Sequence, residues 1–162
     1  KRFLDYIDDT IGPIEDAFYY IGQNVPPEPK ELSYQNALVR MGYAVRTKRI
    51  KDYTNQETGE HFRKANLDIE LAVDMFNLVD HYDTCVLLSG DGDFERPLDI
   101  LRSRGKSIKL FSTEQFAARE LRELLGRHFI DFHWIRDEVE KQPYGNGHRD
   151  RDYDEVYDGG RN

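Results

Sequence analysis

A short, continuous apolar run, residues 84–89 (TCVLLS), and a second short run, 107–111 (SIKLF), flank a segment patterned as a helix. Runs this short suit strands better than helices; the lack of polar alternation in the first predicts a strand buried on both faces, as in a parallel sheet, and the second reads as another buried strand. The intervening helix is predicted over 97–103, with Pro97 in its first turn and Gly105 just past its end. A strand, a helix and a second strand in that order require a right-handed crossover with the helix packed on the sheet.

The rest of the chain repeats this alternation. Phe3, Leu4 and Ile7 predict a helix over 1–10, stopped by Gly12-Pro13. Residues 17–21 (AFYYI) read as a strand, and 22–29, with Pro26, Pro27 and Pro29, as loop. Leu32, Ala37, Leu38 and Met41 predict a helix over 30–41 with Gly42 as its C-cap. Residues 43–50 (YAVRTKRI) read as a strand, and 52–64 as a polar loop or hairpin around Thr58-Gly59. A helix follows over 68–80 with Asp68 as N-cap, then another over 114–126, and an edge strand over 129–135. The predicted architecture is three-layer α/β/α, with a mostly parallel, doubly wound, Rossmann-like sheet. One domain is expected over 1–135, and 136–162 as an acidic low-complexity tail without fixed structure.

Composition narrows the function classes. The formal net charge of −8 argues against indiscriminate attraction to nucleic acid, though not against a local basic surface. Cys85 is the one cysteine, so no internal disulfide staples the domain, and a cytoplasmic location is expected. No apolar run reaches membrane-spanning length, and the N-terminus lacks a signal-peptide pattern.

In doubly wound sheets ligands bind outside the carboxyl ends of the strands. That rule singles out the loops after Ile21, Ile50, Ser89 and Phe111. The third is Ser-Gly-Asp-Gly-Asp, in which Gly90 and Gly92 are expected to turn the backbone sharply and bring Asp91 and Asp93 into the crevice. Oxygen ligands so clustered suit Mg²⁺ or Mn²⁺, and the plain alternative is an Asp-Gly turn that caps a helix. An EF-hand fails: counted from Asp91, Arg96 and Arg102 stand where Gly and Glu are needed. A phosphate-binding glycine loop fails too, because no Gly-Lys-Ser/Thr follows.

The 68–80 helix is apolar over most of its circumference and is expected to be well covered. Its polar stripe is Glu70, Asp74, Asn77 and His81. For Glu70 and His81 the expectation is a solvated face, whereas Asp74 faces either water or the crevice. Arg46, Lys48, Arg49 and Lys51, continued by Arg63 and Lys64, form a basic ribbon. Arg46 and Lys48 share one strand face, Arg49 and Lys51 the other, so the ribbon reads either as edge protection or as phosphate contact.

KANLDIELAVDM at 64–75, followed by VLLSGDGDF at 86–94, resembles the NYN domain (LabA-like) family of the PIN-like nuclease superfamily. The resemblance extends over 1–135, with GKSIKLFS at 105–112 and FID at 129–131 as supporting pattern. It implies a PIN-like fold and metal-dependent hydrolysis of RNA phosphodiesters at an acidic cluster. Asp68, Asp91 and Asp93 would hold Mg²⁺ or Mn²⁺, with Asp74 as a further catalytic member. Arg46, Lys48 and Lys64 would contact RNA, expected to be single-stranded. The alternative is a non-catalytic RNA-binding or regulatory module. A phosphatase-like enzyme would need a nucleophilic Asp after an earlier strand, and none is present. A protein partner or homodimer stays open. The family begins with a strand ending in an Asp-Gly-x-Asn type segment. Asp5, Asp8 and Asp9 lie instead on what matches the following helix, so the chain as written is expected to lack the first strand and a leading ligand.

Overall fold

The computed structural model describes residues 1–56 and 58–140. The tail predicted from the sequence lies outside the described residues from 141 onward. Residues 136–140, assigned to that tail, instead continue the fold: Arg136–Val139 is a short helix, and the Arg2 side chain donates to the Glu140 carbonyl.

Chain order is α1 (Arg2–Thr10), β1 (Phe18–Gln23), α2 (Pro29–Arg40), β2 (Ala44–Arg49), β3 (Lys51–Thr54), β4 (His61–Lys64) and α3 (Asp68–Asn77). It continues with β5 (Thr84–Leu88), α4 (Glu95–Ser103), β6 (Ser107–Ser112), α5 (Arg119–Leu125), β7 (Phe129–Asp131) and α6 (Arg136–Val139). The mixed α/β class is as predicted. The parallel strands fall into two blocks: β1 pairs with β2, and β6 lies between β5 and β7. Among the described residues no backbone ladder joins β1 to β5. The 52–64 segment is the hairpin alternative, β3 antiparallel to β4.

Alternation along β5–β7 creates the layers. Leu87, Ile108 and Leu110 point to one face, where they meet Met75 and Val79 from α3 and its following turn, Leu98 and Leu101 of α4, and Leu121 and Leu125 of α5. Val86, Phe111 and Ile130 point to the other, where they meet Phe3, Tyr6 and Ile7 of α1, together with Ile135. Phe3 and Tyr6 both set their rings edge-on to Phe111, with centroids 5.2 and 6.3 Å away. Leu98, Leu101, Leu110, Phe111 and Leu121 are fully buried. Each contributes about 1.5–3 kcal/mol by burial.

Several boundaries differ from the pattern, among them the end of α3 at Asn77 rather than 80. Helix α4 begins at Glu95 rather than Pro97, directly after a 3-10 turn. Helix α5 begins at Arg119 rather than 114, because the chain before it makes turns that seat it against the loop after β5. Strand β7 ends at Asp131 rather than 135, because the Asp131 carboxylate accepts the His133 N–H at 2.8 Å and turns the chain.

Asp131 also accepts the Glu114 N–H at 2.9 Å and bonds His133 Nδ1 at 2.7 Å, tying the loop after β6 to that after β7. These bonds, led by the His133 N–H, hold its carboxyl below the usual aspartate range. A depressed folded-state pKa gives stability that is complete above the unfolded value of about 3.9 and is lost as pH falls through the folded value. Asp131→Asn is therefore expected to lower the melting temperature at pH 7. Between pH 5 and 2 it should lose less stability than the parent, and thermal melts across that range measure both effects.

Candidate functional site: an acidic loop and a latched helix

The loop after β5 is built by its own side chains. The Asp91 N–H donates to Ser89 Oγ at 3.1 Å, and the Asp93 N–H donates to Asp91 Oδ1 at 3.0 Å. Asp91 thus caps the 3-10 turn Gly92–Phe94, whose buried Phe94 plugs the core under α4. Both carboxylates are exposed. Among the described residues the Asp93 side chain has no hydrogen-bond or ion-pair partner, and Asp91 spends one oxygen on its own turn.

The sharp turn expected of Gly90 and Gly92 is made without a positive φ at either. Gly90 is required by crowding instead. A Cβ there would lie 2.1 Å from the Phe116 carbonyl oxygen and 2.7 Å from its carbon. The Ala118 N–H donates to the Gly90 carbonyl at 2.8 Å, so the start of α5 is laid directly on the loop. The same contact brings Glu120 Oε2 to 3.9 Å from where a Cβ of residue 92 would stand. This third acid beside the loop sits in helical pattern, and only the fold reveals its neighbours.

Asp68 is the first residue of α3 rather than its N-cap, and its own N–H donates to Asn66 Oδ1 at 3.0 Å. Of the polar stripe, Asp74 and Glu70 reach β1 and β2, while Asn77 and His81 stay exposed. Asp74 Oδ2 accepts the Tyr20 hydroxyl at 2.9 Å and Arg46 Nε at 3.2 Å. Lys48 Nζ lies 2.6 Å from Glu70 Oε1. In the β1–β2 register Tyr20 stands beside Arg46, and Gly22 beside Lys48, so one face of this block receives the stripe. Arg46 also lies over the Phe18 ring, 4.9 Å from its centroid. Burial, then the bond to Asp74, pushes the Tyr20 hydroxyl pKa upward. The hydrogen bond from Lys48 holds Glu70 below the usual glutamate range.

The solvated-face expectation for Glu70 is thus corrected, whereas His81 is exposed as expected. The expectation of a well-covered helix is corrected as well. With the stripe turned to β1–β2, Ile69 and Val73 stay 72% and 54% exposed along a shallow groove of ≈ 250 Å³. Arg46, Thr47, Leu67, Glu70 and Asp74 complete its lining.

The four aspartates therefore occupy three settings: Asp91 and Asp93 in the loop, Asp68 at the start of α3, and Asp74 in the latch. Among the described residues no three His, Cys, Asp or Glu side chains converge closely enough to hold a metal ion. Mg²⁺ and Mn²⁺ keep several waters and bind through one or two carboxylates, so the exposed Asp91 and Asp93 pair fits such an ion by its chemistry, with Asp68 and Asp74 outside the group. Of the three cations expected at RNA, Arg46 and Lys48 are ion-paired to α3, and Lys64 is exposed. Burial pushes the Cys85 thiol up to about 12.

With that geometry in view, comparison with known proteins identifies the family. The sequence pattern of the NYN domain matches residues 1–135. The chain belongs to the NYN domain family. It is 44% identical over 143 residues to the low amplitude and bright protein LabA of Synechococcus elongatus, covering 87% of this chain and 75% of that one. It is also similar to the crystal structure of a protein of unknown function from Vibrio parahaemolyticus, with a TM-score of 0.64 and 21% identity, covering 80% of this chain and 75% of that one. That second likeness bears on fold alone. The family is a PIN-like nuclease family, which makes this NYN domain one of ribonuclease type. No helix among its described residues is long and apolar enough to cross a membrane.

The crowding at Gly90 gives a direct test of how the NYN domain holds its loop. Gly90→Ala must displace the Phe116 backbone and is expected to cost about 1–3 kcal/mol of stability. Urea denaturation measures the loss, and Ser103→Ala, on an exposed helix end, serves as the control.

Proposed function

We propose that this NYN domain hydrolyses RNA phosphodiesters at the loop after β5, with Asp91 and Asp93 carrying the reaction, Asp68 and Asp74 as supporting acids, and Mg²⁺ or Mn²⁺ required. The observation that carries this reading is the placement of two exposed carboxylates at the carboxyl end of a parallel strand, β5, which is only partly buried and ends in a half-exposed Leu88. That is where doubly wound sheets bind their ligands. Family membership supplies the substrate class, and single-stranded RNA is the proposed form.

The chain's own residues account for part of this. The Ser89 and Asp91 side chains bond the loop's N–H groups, so the acidic pair is held before any ligand arrives. The Ala118 N–H, donating to the Gly90 carbonyl, ties the loop to the start of α5. Two carboxylates repel a phosphate, so RNA can approach only where cations offset them.

A second reading is favoured by the absence of a converged donor set among the described residues. On it, the domain binds RNA without cutting it, and the acidic loop has a regulatory role. Asp91→Asn and Asp93→Asn separate the two, because asparagine caps as well as aspartate and the turn is kept. The full chain is incubated with single-stranded RNA and Mg²⁺ or Mn²⁺. Each substitution is expected to slow cleavage on the order of 100-fold or more while melting temperature changes little. Cleavage that survives both would overturn the site assignment, and binding without cleavage by the parent would establish the second reading.

A further inference from the structure

We propose that one face of the β3–β4 hairpin, presenting Lys51, Lys64 and Tyr53, is a docking surface for single-stranded RNA. This rests on the RNA reading above and adds a binding element to it. In the hairpin register Lys51 lies opposite Lys64 and Tyr53 opposite Phe62, alternating with Asp52 opposite Arg63 and Thr54 opposite His61. Because side chains alternate along a strand, these pairs fall on two different faces.

The faces differ in chemistry. On one, Arg63 Nε pairs with Asp52 Oδ1 at 3.0 Å, Thr54 Oγ1 bonds His61 Nδ1 at 2.9 Å, and Arg63 donates again to Asn24. That face is satisfied internally. On the other, two ammonium groups stand directly across the ribbon, and among the described residues neither has an ion-pair partner. Like charges directly opposite each other destabilise a strand pair. An anion between them reverses the sign, and opposite residues about 4.5–5.5 Å apart let both side chains reach one phosphate.

Tyr53, 45% exposed, follows on the same face. An aromatic ring beside paired cations is the combination that single-stranded nucleic acid uses, with the backbone on the charges and a base on the ring. A duplex hides its base faces and gains nothing from the ring. With a net charge of −8 the chain has no general attraction for RNA, so contact must be local. Arg46 and Lys48 are engaged with α3, which leaves the hairpin as the cationic surface nearest in sequence to Asp68.

The hairpin is also well rooted. Ile50 and Ala65, the residues flanking it, close on Gly22 of β1 so tightly that a Cβ there would lie 2.9 Å from each. A ligand held on this arm is therefore held at a fixed place beside the sheet.

The test measures binding of labelled oligouridylate and of an RNA duplex in the full chain carrying Asp91→Asn. Lys51→Ala and Lys64→Ala are each expected to reduce the slope of log K against log salt by about 0.7. Tyr53→Ala is expected to weaken oligouridylate binding roughly 5- to 100-fold, with Tyr53→Phe near the parent and duplex binding unchanged. Circular dichroism and melting temperature establish that each variant is folded. Unchanged affinity and salt slope in all three alanine variants, with the parent still binding RNA, would overturn this proposal and leave the RNA reading standing. No RNA binding by the parent would overturn both. Equally tight, hairpin-dependent binding of polyglutamate or anionic vesicles would overturn it in favour of a general anion surface.

Discussion

The contact of the Phe116 carbonyl with Gly90 fixes more of this domain than any other single approach between segments. It is the point where the loop after β5 and the segment leading into α5 approach too closely for a side chain at Gly90. From it follow the delayed start of α5 and the bond from Ala118 to Gly90. The position of Glu120 beside the acidic pair follows as well. The loop is thus clamped from outside by α5 and stitched from inside by Ser89 and Asp91, while its two carboxylates face outward.

A second organising element is α3, which belongs to two environments at once. Its apolar side, with Met75, joins the core beneath β5 and β6, and its polar stripe reaches across to β1 and β2. Asp74 serves two donors there, the Tyr20 hydroxyl and Arg46, and Glu70 takes Lys48. Among the described residues one Glu70 oxygen is buried without a hydrogen-bond partner, while the other takes Lys48. Side chains that look in sequence like a basic ribbon and a solvated helix face are here the two halves of one joint.

The fold was legible where local pattern decides it. The runs at 84–89 and 107–111 gave β5 and β6, because a short apolar run between turn residues has few other solutions. The loop of Asp91 and Asp93 followed from its position after such a strand. What stayed illegible depended on register or on a distant segment. Nothing near Glu70 in the chain indicates Lys48, because their meeting requires β1 and β2 to pair before α3 packs on them. Strand β7 was overestimated because Asp131 looks like one polar residue in an apolar run until its carboxylate is seen to fold the chain back. The exposure of Ile69 and Val73 was misjudged for a related reason: hydrophobicity around a helix does not say which side the polar stripe must face.

The joint between α3 and the β1–β2 block is made of charged and polar groups, Tyr20 and Arg46 on Asp74 and Lys48 on Glu70. Its cations are partly open to solvent, so dissolved salt screens these pairs, while the apolar packing beneath β5 and β6 is indifferent to it. Ionic strength therefore acts on one contact of this domain and leaves the core alone.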